Sequence, residues 1–265
     1  MRDTTLKIYL HLPKCGGTTF AANVLRQFGS RCFHYISAAH LADLHRHIDT
    51  GFGGIDVVLV HSPDFPYDAM PRDIDVEYLA VCREPISAVA SMYNFATNAA
   101  HSKFYPKVKG LGFWQFVAYS HKINIWHPNF QSYYLCGNRR WDAVAAFIEE
   151  FSVQLFTLDE LDWVFRRLTG QGLDPTLDRN RAPTYHALAD PLAEAASSVG
   201  AMADMVSAED FSDLDRRLLE ELFDTDQKLW RAALNAAQRR ETGGRVAPAP
   251  SGALEPAAGT GGAAI

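Results

Sequence analysis

The chain has 265 residues, and 48% of them are hydrophobic, which is enough to form a sizeable core and argues against global disorder. Its 25 basic and 31 acidic side chains give a formal net charge of −6. That balance argues against broad nucleic-acid binding, because such binding needs a large positive field. A small anionic ligand needs only a local basic pocket and is not excluded.

The cysteines and the N-terminal segment indicate a compartment. Four cysteines occur, without CxxC pairs and without the clustering with histidines that a metal site would need: Cys15, Cys32, Cys82 and Cys136. This usage is typical of a reduced intracellular protein. The first residues run directly into a strand-like segment, with no signal-peptide pattern and no apolar run that could span a bilayer. We therefore expect a cytoplasmic protein without a transmembrane segment, and the sequence gives no oligomeric state.

The first predicted unit is a strand, a glycine-rich turn and a helix. Residues 6–12 are apolar and β-rich, and this strand stops at Pro13. The turn that follows is Lys14-Cys15-Gly16-Gly17-Thr18-Thr19, and an amphipathic helix then runs to Gly29.

Further strands alternate with helices along the chain. Strands are predicted at residues 32–36, 55–60, 76–82 and 153–157, and helices at 37–47, 85–97, 142–151, 159–168 and 214–237. Such alternation indicates parallel βαβ units. The predicted fold is therefore a P-loop-like, three-layer α/β/α domain with a central parallel sheet, over residues 1–240. The aromatic-rich segment 100–126 is expected to be an insertion or lid, and residues 241–265, rich in Gly, Ala and Pro, a disordered tail.

The turn at residues 14–19 has the composition of a phosphate or sulfate cradle. Glycines after a buried strand allow a tight turn and close approach of a ligand. The free N–H groups at the start of the next helix favour an anion, and Lys14, Thr18 and Thr19 add a charge and two hydroxyls. The alternative is an ordinary glycine-rich turn with an exposed lysine.

A second anion-binding element is predicted where a later strand ends. Arg83 follows the strand 76–82, at the edge where ligands bind to parallel sheets. Ser91 lies about two helical turns further on and can face the same pocket. Arginine with a hydroxyl suits a second phosphate, although Arg83 could instead pair with a neighbouring acid. Two anion sites on adjacent strands imply a ligand with two separated phosphate-like groups.

These segments resemble a known enzyme family. HLPKCGGTTF is similar to the 5'-phosphosulfate loop of sulfotransferases that use 3'-phosphoadenosine 5'-phosphosulfate (PAPS), and VCREPISAVASMYNF resembles their 3'-phosphate element. NFQSYYLCG, VQLFTLDELDWVFRRL and ELFDTDQKLWRAAL resemble later segments of the carbohydrate group, of the heparan and chondroitin type. The likeness covers residues 6–233 in order.

The resemblance implies a role for each matching residue. The 5'-phosphosulfate would be held by the loop residues Lys14, Cys15, Gly16, Gly17, Thr18 and Thr19. Arg83 and Ser91 would hold the 3'-phosphate, and Asn180 matches a later segment that contacts the cofactor. The family places a catalytic His or Glu near the end of the third strand, where this chain has His61.

The expected reaction is transfer of a sulfuryl group from PAPS to an acceptor hydroxyl, with a carbohydrate as the favoured acceptor. His61 would accept the hydroxyl proton, Lys14 would stabilise the developing charge, and no metal is expected. His61 could instead merely cap its strand. One alternative is a kinase-like phosphoryl-transfer enzyme, which would need Mg²⁺ and a lysine after the glycines. Another is a non-catalytic module that binds the cofactor.

Overall fold

The computed structural model describes residues 5–98, 104–122, 127–174 and 205–242, which fold around a five-stranded sheet. Its strands are β1 Leu6–Leu10, β2 Cys32–Tyr35, β3 Val57–Val60, β4 Val76–Cys82 and β5 Gln154–Thr157. All neighbouring strands are parallel, in the order β2-β3-β1-β4-β5. The four residues of β3 are all buried, as the continuous apolar run predicts.

The helices cover both faces of this sheet. In the described part of the chain they are α1 Gly17–Phe28, α2 Leu41–Asp49, α3 Pro85–Asn98, α4 Tyr105–Val108, α5 Phe113–Lys122, α6 Phe130–Cys136, α7 Trp141–Glu150, α8 Leu161–Thr169, α9 Asp213–Leu222 and α10 Asp224–Glu241. On one face, Phe20 of α1 stacks on Tyr9 with ring centroids 3.9 Å apart. Tyr78 of β4 pairs in register with Ile8, so it points to the opposite face, where its ring lies 5.7 Å from Phe151 after α7. The predicted three-layer α/β/α fold is confirmed.

The strand order brings the predicted site residues to one edge of the sheet. β1 lies between β3 and β4, and Leu10 pairs in register with both Val60 and Ala80. The residues that follow these three strands therefore emerge side by side at their carboxyl ends, where ligands bind in open parallel sheets.

The aromatic segment forms a second, smaller core where the structure describes it. Over residues 104–122 it contains α4 and α5. Phe113 and Phe116 of α5 contact Tyr93 of α3, with ring centroids 5.6 and 5.5 Å apart. Leu219 and Phe223 join the same buried cluster. The segment is therefore held to α3 and α9 by apolar packing.

The single helix predicted for residues 214–237 is wrong, because the chain bends at Phe223 between α9 and α10. Phe223 is fully buried and has φ −107° and ψ 29°, which do not continue a helix. The bend places its ring in the second core while α10 packs against β5. α10 ends at Glu241, and residues 243–265 of the predicted tail lie outside the described residues.

Two further features of the structure concern its cysteines and the character of its helices. All four cysteines are free thiols. Within the described ranges, no helix combines the length and the apolar character needed to cross a lipid bilayer.

Candidate functional site

A cleft of about 650 Å³ opens at the carboxyl ends of β1, β3 and β4. This volume is within the usual range of small-molecule sites. The cleft brings together most of the residues singled out from the sequence, namely Lys14, Gly16, Gly17, Thr18, Thr19, His61, Arg83 and Ser91. Both predicted anion-binding elements and the predicted base therefore face one space.

The loop between β1 and α1 is shaped by two glycines and a strained lysine. Lys14 and Gly16 have positive φ values of 65° and 75°, a conformation that is uncommon for a residue with a side chain. Gly17 has no room for one, because a Cβ atom there would lie 1.7 Å from Nε2 of His11. The loop thus wraps closely around the His11 ring.

The N-terminus of α1 opens into the cleft. The first helical hydrogen bond runs from Phe20 N–H to the Gly16 carbonyl, at 3.1 Å, so the N–H groups of Gly17 and Thr18 precede it. No acidic side chain lies in the first turn of α1. The partial positive charge of this helix end is therefore available to an anion.

The two predicted anion-binding elements touch each other. Nη1 of Arg83 donates a hydrogen bond to the main-chain carbonyl of Lys14, at 3.2 Å. Among the described residues, neither Lys14 nor Arg83 forms an ion pair with a carboxylate. Nζ of Lys14 lies 4.3 Å from the ring centroid of Phe95. Burial and the nearby charge of Arg83 lower the pKa of Lys14 to about 8. This cleft is therefore locally positive in a protein of net charge −6.

The acid next to Arg83 is engaged elsewhere. Oε1 of Glu84 accepts from Ile86 N–H at 3.0 Å, and Oε2 accepts from Ser87 N–H at 2.5 Å. Glu84 thereby caps the N-terminus of α3. The alternative in which Arg83 pairs with its neighbouring acid is not what the structure shows.

Gln131, at the start of α6, fastens the two anion-binding elements together. Its Oε1 accepts from Arg83 N–H at 2.9 Å, and its Nε2 donates to the Arg83 carbonyl at 3.0 Å. The same Oε1 lies 3.2 Å from the Cys15 thiol, which is buried beneath the loop and does not line the cleft. Sequence reasoning did not give Gln131 a role, although the NFQSYYLCG segment contained it.

Asp226 of α10 in turn holds α6. Its carboxylate accepts from Gln131 N–H at 3.1 Å, Ser132 N–H at 2.8 Å and the Ser132 hydroxyl at 2.6 Å. Its own N–H donates to Oδ1 of Asn129 at 3.0 Å. Complete burial raises the pKa of Asp226 to about 6, against the lowering effect of these hydrogen bonds. The two late segments that contain Asn129, Gln131 and Asp226 are therefore connected through hydrogen bonds to Arg83 in the cleft.

His61 lies directly after β3 and is paired with a second histidine. Its main-chain N–H donates to the Tyr35 carbonyl at 2.8 Å. Its ring Nδ1 lies 2.8 Å from Nδ1 of His11, with the two rings nearly perpendicular at 88°. Burial, followed by the charge of His34, lowers the pKa of His61 to about 4, and burial lowers the pKa of His11 well below its usual value. Both rings are therefore neutral near pH 7.

His11 was missed from the sequence, although one signal could have identified it. It comes directly after β1, as His61 comes directly after β3, and these two strands pair in register up to Leu10 and Val60. The apolar run predicted a strand over residues 6–12, with His11 inside it. Because β1 ends at Leu10, His11 instead lies at the edge of the sheet where ligands bind.

Aromatic and basic side chains also line the cleft. Tyr133, Tyr134 and Arg139 lie there, with the Arg139 guanidinium 4.6 Å from the ring centroid of Tyr133. Nε of Arg139 is buried and has no hydrogen-bond partner among the residues that the structure describes. Arg140, in contrast, is exposed and pairs with Asp142. Of the two arginines after α6, only Arg139 lines the cleft.

Two other predictions concern Asn180 and metal binding. Asn180 lies outside the described residues. Within the described ranges, no group of three or more His, Cys, Asp or Glu side chains could hold a metal ion.

No protein-family model matches the chain, and a search of curated proteins finds no match either.

Proposed function

We propose that this protein is a PAPS-dependent sulfotransferase that transfers a sulfuryl group to an acceptor hydroxyl, with a carbohydrate as the acceptor class. The observation that carries the proposal is the convergence of Lys14, Arg83 and a neutral His61 on one cleft. Two cations that follow different strands suit a ligand with two phosphate-like groups, and a neutral imidazole suits proton abstraction.

The residues present fit such a ligand. The N–H groups at the start of α1, the side chain of Lys14 and the hydroxyls of Thr18 and Thr19 would hold the 5'-phosphosulfate. Arg83 and Ser91 would hold the 3'-phosphate.

The side chains of the cleft would assist the transfer in distinct ways. PAPS supplies the activated sulfuryl group: the acceptor oxygen forms a bond to sulfur while the bond from sulfur to the phosphate oxygen breaks, and that oxygen leaves with the electron pair. Nε2 of His61 takes the hydroxyl proton, since its Nδ1 is engaged with His11. The Lys14 ammonium stabilises the negative charge that develops on the leaving oxygen.

The kinase-like alternative is less well supported. In this chain the lysine precedes the glycines, whereas the phosphate loop of nucleotide triphosphatases has it after them. The non-catalytic alternative would keep Lys14 and Arg83 but would not need a neutral imidazole beside them.

Titration calorimetry and a transfer assay test the proposal. We expect 3'-phosphoadenosine 5'-phosphate to bind without a metal, and ATP with Mg²⁺ to bind weakly or not at all. Labelled PAPS should transfer its label to at least one member of an acceptor panel. His61→Ala should keep nucleotide binding and lower turnover about 10²- to 10⁴-fold. Tighter binding of MgATP than of the adenosine bisphosphate would reject the proposal, and nucleotide binding without any transfer would favour the binding module.

A further inference from the structure

The pairing of His11 with His61 has a chemical consequence that rests on the proposed function. The two rings meet through their Nδ1 atoms at 2.8 Å. Since both rings are neutral near pH 7, one Nδ1 must carry the hydrogen and the other must accept it. The pair therefore fixes complementary tautomers on the two imidazoles.

Only one of the two arrangements leaves His61 able to act as a base. If His61 carries its hydrogen on Nδ1 and donates it to His11, then Nε2 of His61 has a free lone pair. If His11 is the donor instead, Nε2 of His61 carries the hydrogen and can accept no proton. The tautomer of a base is generally set by the partner of its other ring nitrogen.

We infer that His11 is a positioning residue, whose Nδ1 accepts a hydrogen bond from His61 and holds His61 in the tautomer with an unprotonated Nε2. His11 itself is held firmly. It is buried at the end of β1, and the loop at Gly17 closes on its Nε2 edge so tightly that a Cβ atom would overlap it.

The groups around the pair keep both rings neutral, which the inferred arrangement requires. Lys14 from the loop and His34 from β2 face His11, in addition to His61, and each disfavours its protonation. His34 also acts on His61, and the ring of Tyr134 from α6 lies 5.9 Å from the His61 ring. A protonated His11 would be forced to donate from Nδ1, so a neutral His11 is required for it to accept.

Nuclear magnetic resonance of the ¹⁵N-labelled full-length chain at pH 7 tests the inference without an activity assay. The ring signals of His61, one of ten histidines, are identified by their absence from His61→Ala. We expect a protonated Nδ1 and an unprotonated Nε2. In His11→Phe, which keeps a ring but removes the acceptor, this tautomer should be lost. His11→Asn, whose Oδ1 can accept near the position of Nδ1, should retain it.

Kinetics give the second readout. His11→Phe should lower kcat about 10- to 100-fold, a typical cost for a partner that orients a ligand or base, while the KM for PAPS changes less than about 3-fold because Lys14 and Arg83 are kept. His11→Asn should recover most of kcat. His47→Phe is the matched control, because His47 also packs between aromatic rings, those of Phe33 and Phe52, but does not line the cleft.

The outcomes separate this inference from the proposed function. A protonated Nε2 on wild-type His61, or an unchanged tautomer and kcat in His11→Phe, would overturn the role of His11. If the wild type transfers no sulfate, the proposed function fails, and the spectra still decide whether His11 sets the tautomer. If His11→Phe does not fold, the wild-type spectrum and His11→Asn still decide the question.

Discussion

Gln131 forms hydrogen bonds with both main-chain groups of Arg83, through its Oε1 at 2.9 Å and its Nε2 at 3.0 Å. Arg83 follows β4 and lies beyond the last residues that pair in register with β1 and β5, so the strand ladder does not pair its N–H and carbonyl. An amide side chain, which offers both a donor and an acceptor, satisfies them together. The position of the Arg83 guanidinium in the cleft therefore depends on a residue of α6.

Gln131→Leu should destabilise the protein and weaken nucleotide binding. Leucine has a similar size but leaves the Arg83 main chain unpaired, and an unsatisfied buried polar group costs about 1–3 kcal/mol. We expect a loss of this order in the free energy of unfolding in urea, with weaker calorimetric binding of 3'-phosphoadenosine 5'-phosphate. Gln171→Leu is the control, since Gln171 is exposed and lies outside the cleft. Equal stability and binding in wild type and Gln131→Leu would contradict the supporting role.

The sequence predicted those parts of the site that depend on neighbouring residues in the chain. It did not predict the contacts between residues far apart in the chain. The apolar runs predicted the strands. The glycine-rich turn identified Lys14, the end of β4 identified Arg83 and the family resemblance identified His61, and all three line one cleft. The hydrogen bonds of Gln131 reach 48 residues back to Arg83, and those of Asp226 reach 95 residues back to Gln131. No periodicity encodes such contacts, because they arise only once the sheet has formed.

The bend at Phe223 shows the same limit. Helical spacing of apolar residues continues through 214–237, and the pattern alone cannot show that one aromatic ring belongs to a different core. Tertiary packing decides the break.

The pH profile of kcat/KM for PAPS should have two limbs. The pKa of about 4 for His61 means that the base is neutral above about pH 5, and protonation removes it below that. The pKa of about 8 for Lys14 means that its charge is lost as the pH rises through 8. Because kcat/KM reports groups of the free enzyme, we expect a plateau between these values and a fall on either side.

Lys14→Arg identifies the alkaline limb. Arginine stays protonated over this range, so the fall near pH 8 should disappear even if the plateau is lower. Lys7→Arg is the control, because Lys7 donates to carbonyls at the end of α8, away from the cleft. An alkaline limb that persists unchanged in Lys14→Arg would assign it to another group.

Gly17→Ala should lower the proposed transfer activity by displacing His11. The added Cβ would lie 1.7 Å from Nε2 of His11, and no such contact survives without movement of the ring or the loop. We expect a loss of turnover of at least about 10-fold, measured with labelled PAPS. Gly112→Ala is the matched control, since its Cβ would meet only Gln115 at an ordinary 3.7 Å. Wild-type turnover in Gly17→Ala would show that the loop can relax.

Asp226 should make a distinctive contribution to the pH dependence of stability. Its pKa is raised from 3.8 to about 6 in the folded protein. Between these values the folded state holds a proton that the unfolded state has released, so the contribution of Asp226 to stability falls as the pH rises from about 4 to about 6 and is constant above. The contribution of His61 to stability changes in the opposite direction and rises with pH, because its pKa is lower in the folded protein than in the unfolded chain.

Asp226→Asn separates the two contributions. The free energy of unfolding in urea is measured for wild type and Asp226→Asn from pH 4.5 to 8, and the difference between them removes the terms that the two proteins share. The free energy of unfolding of the wild type, relative to that of Asp226→Asn, should fall as the pH rises to about 6, by at most about 3 kcal/mol. Above that pH it should stay constant. The variant itself should be less stable at low pH, since its amide cannot accept from Gln131 and Ser132 on both oxygens as a carboxyl group does. A difference that is constant over the whole range would show that Asp226 is ionised throughout, held so by its three donors.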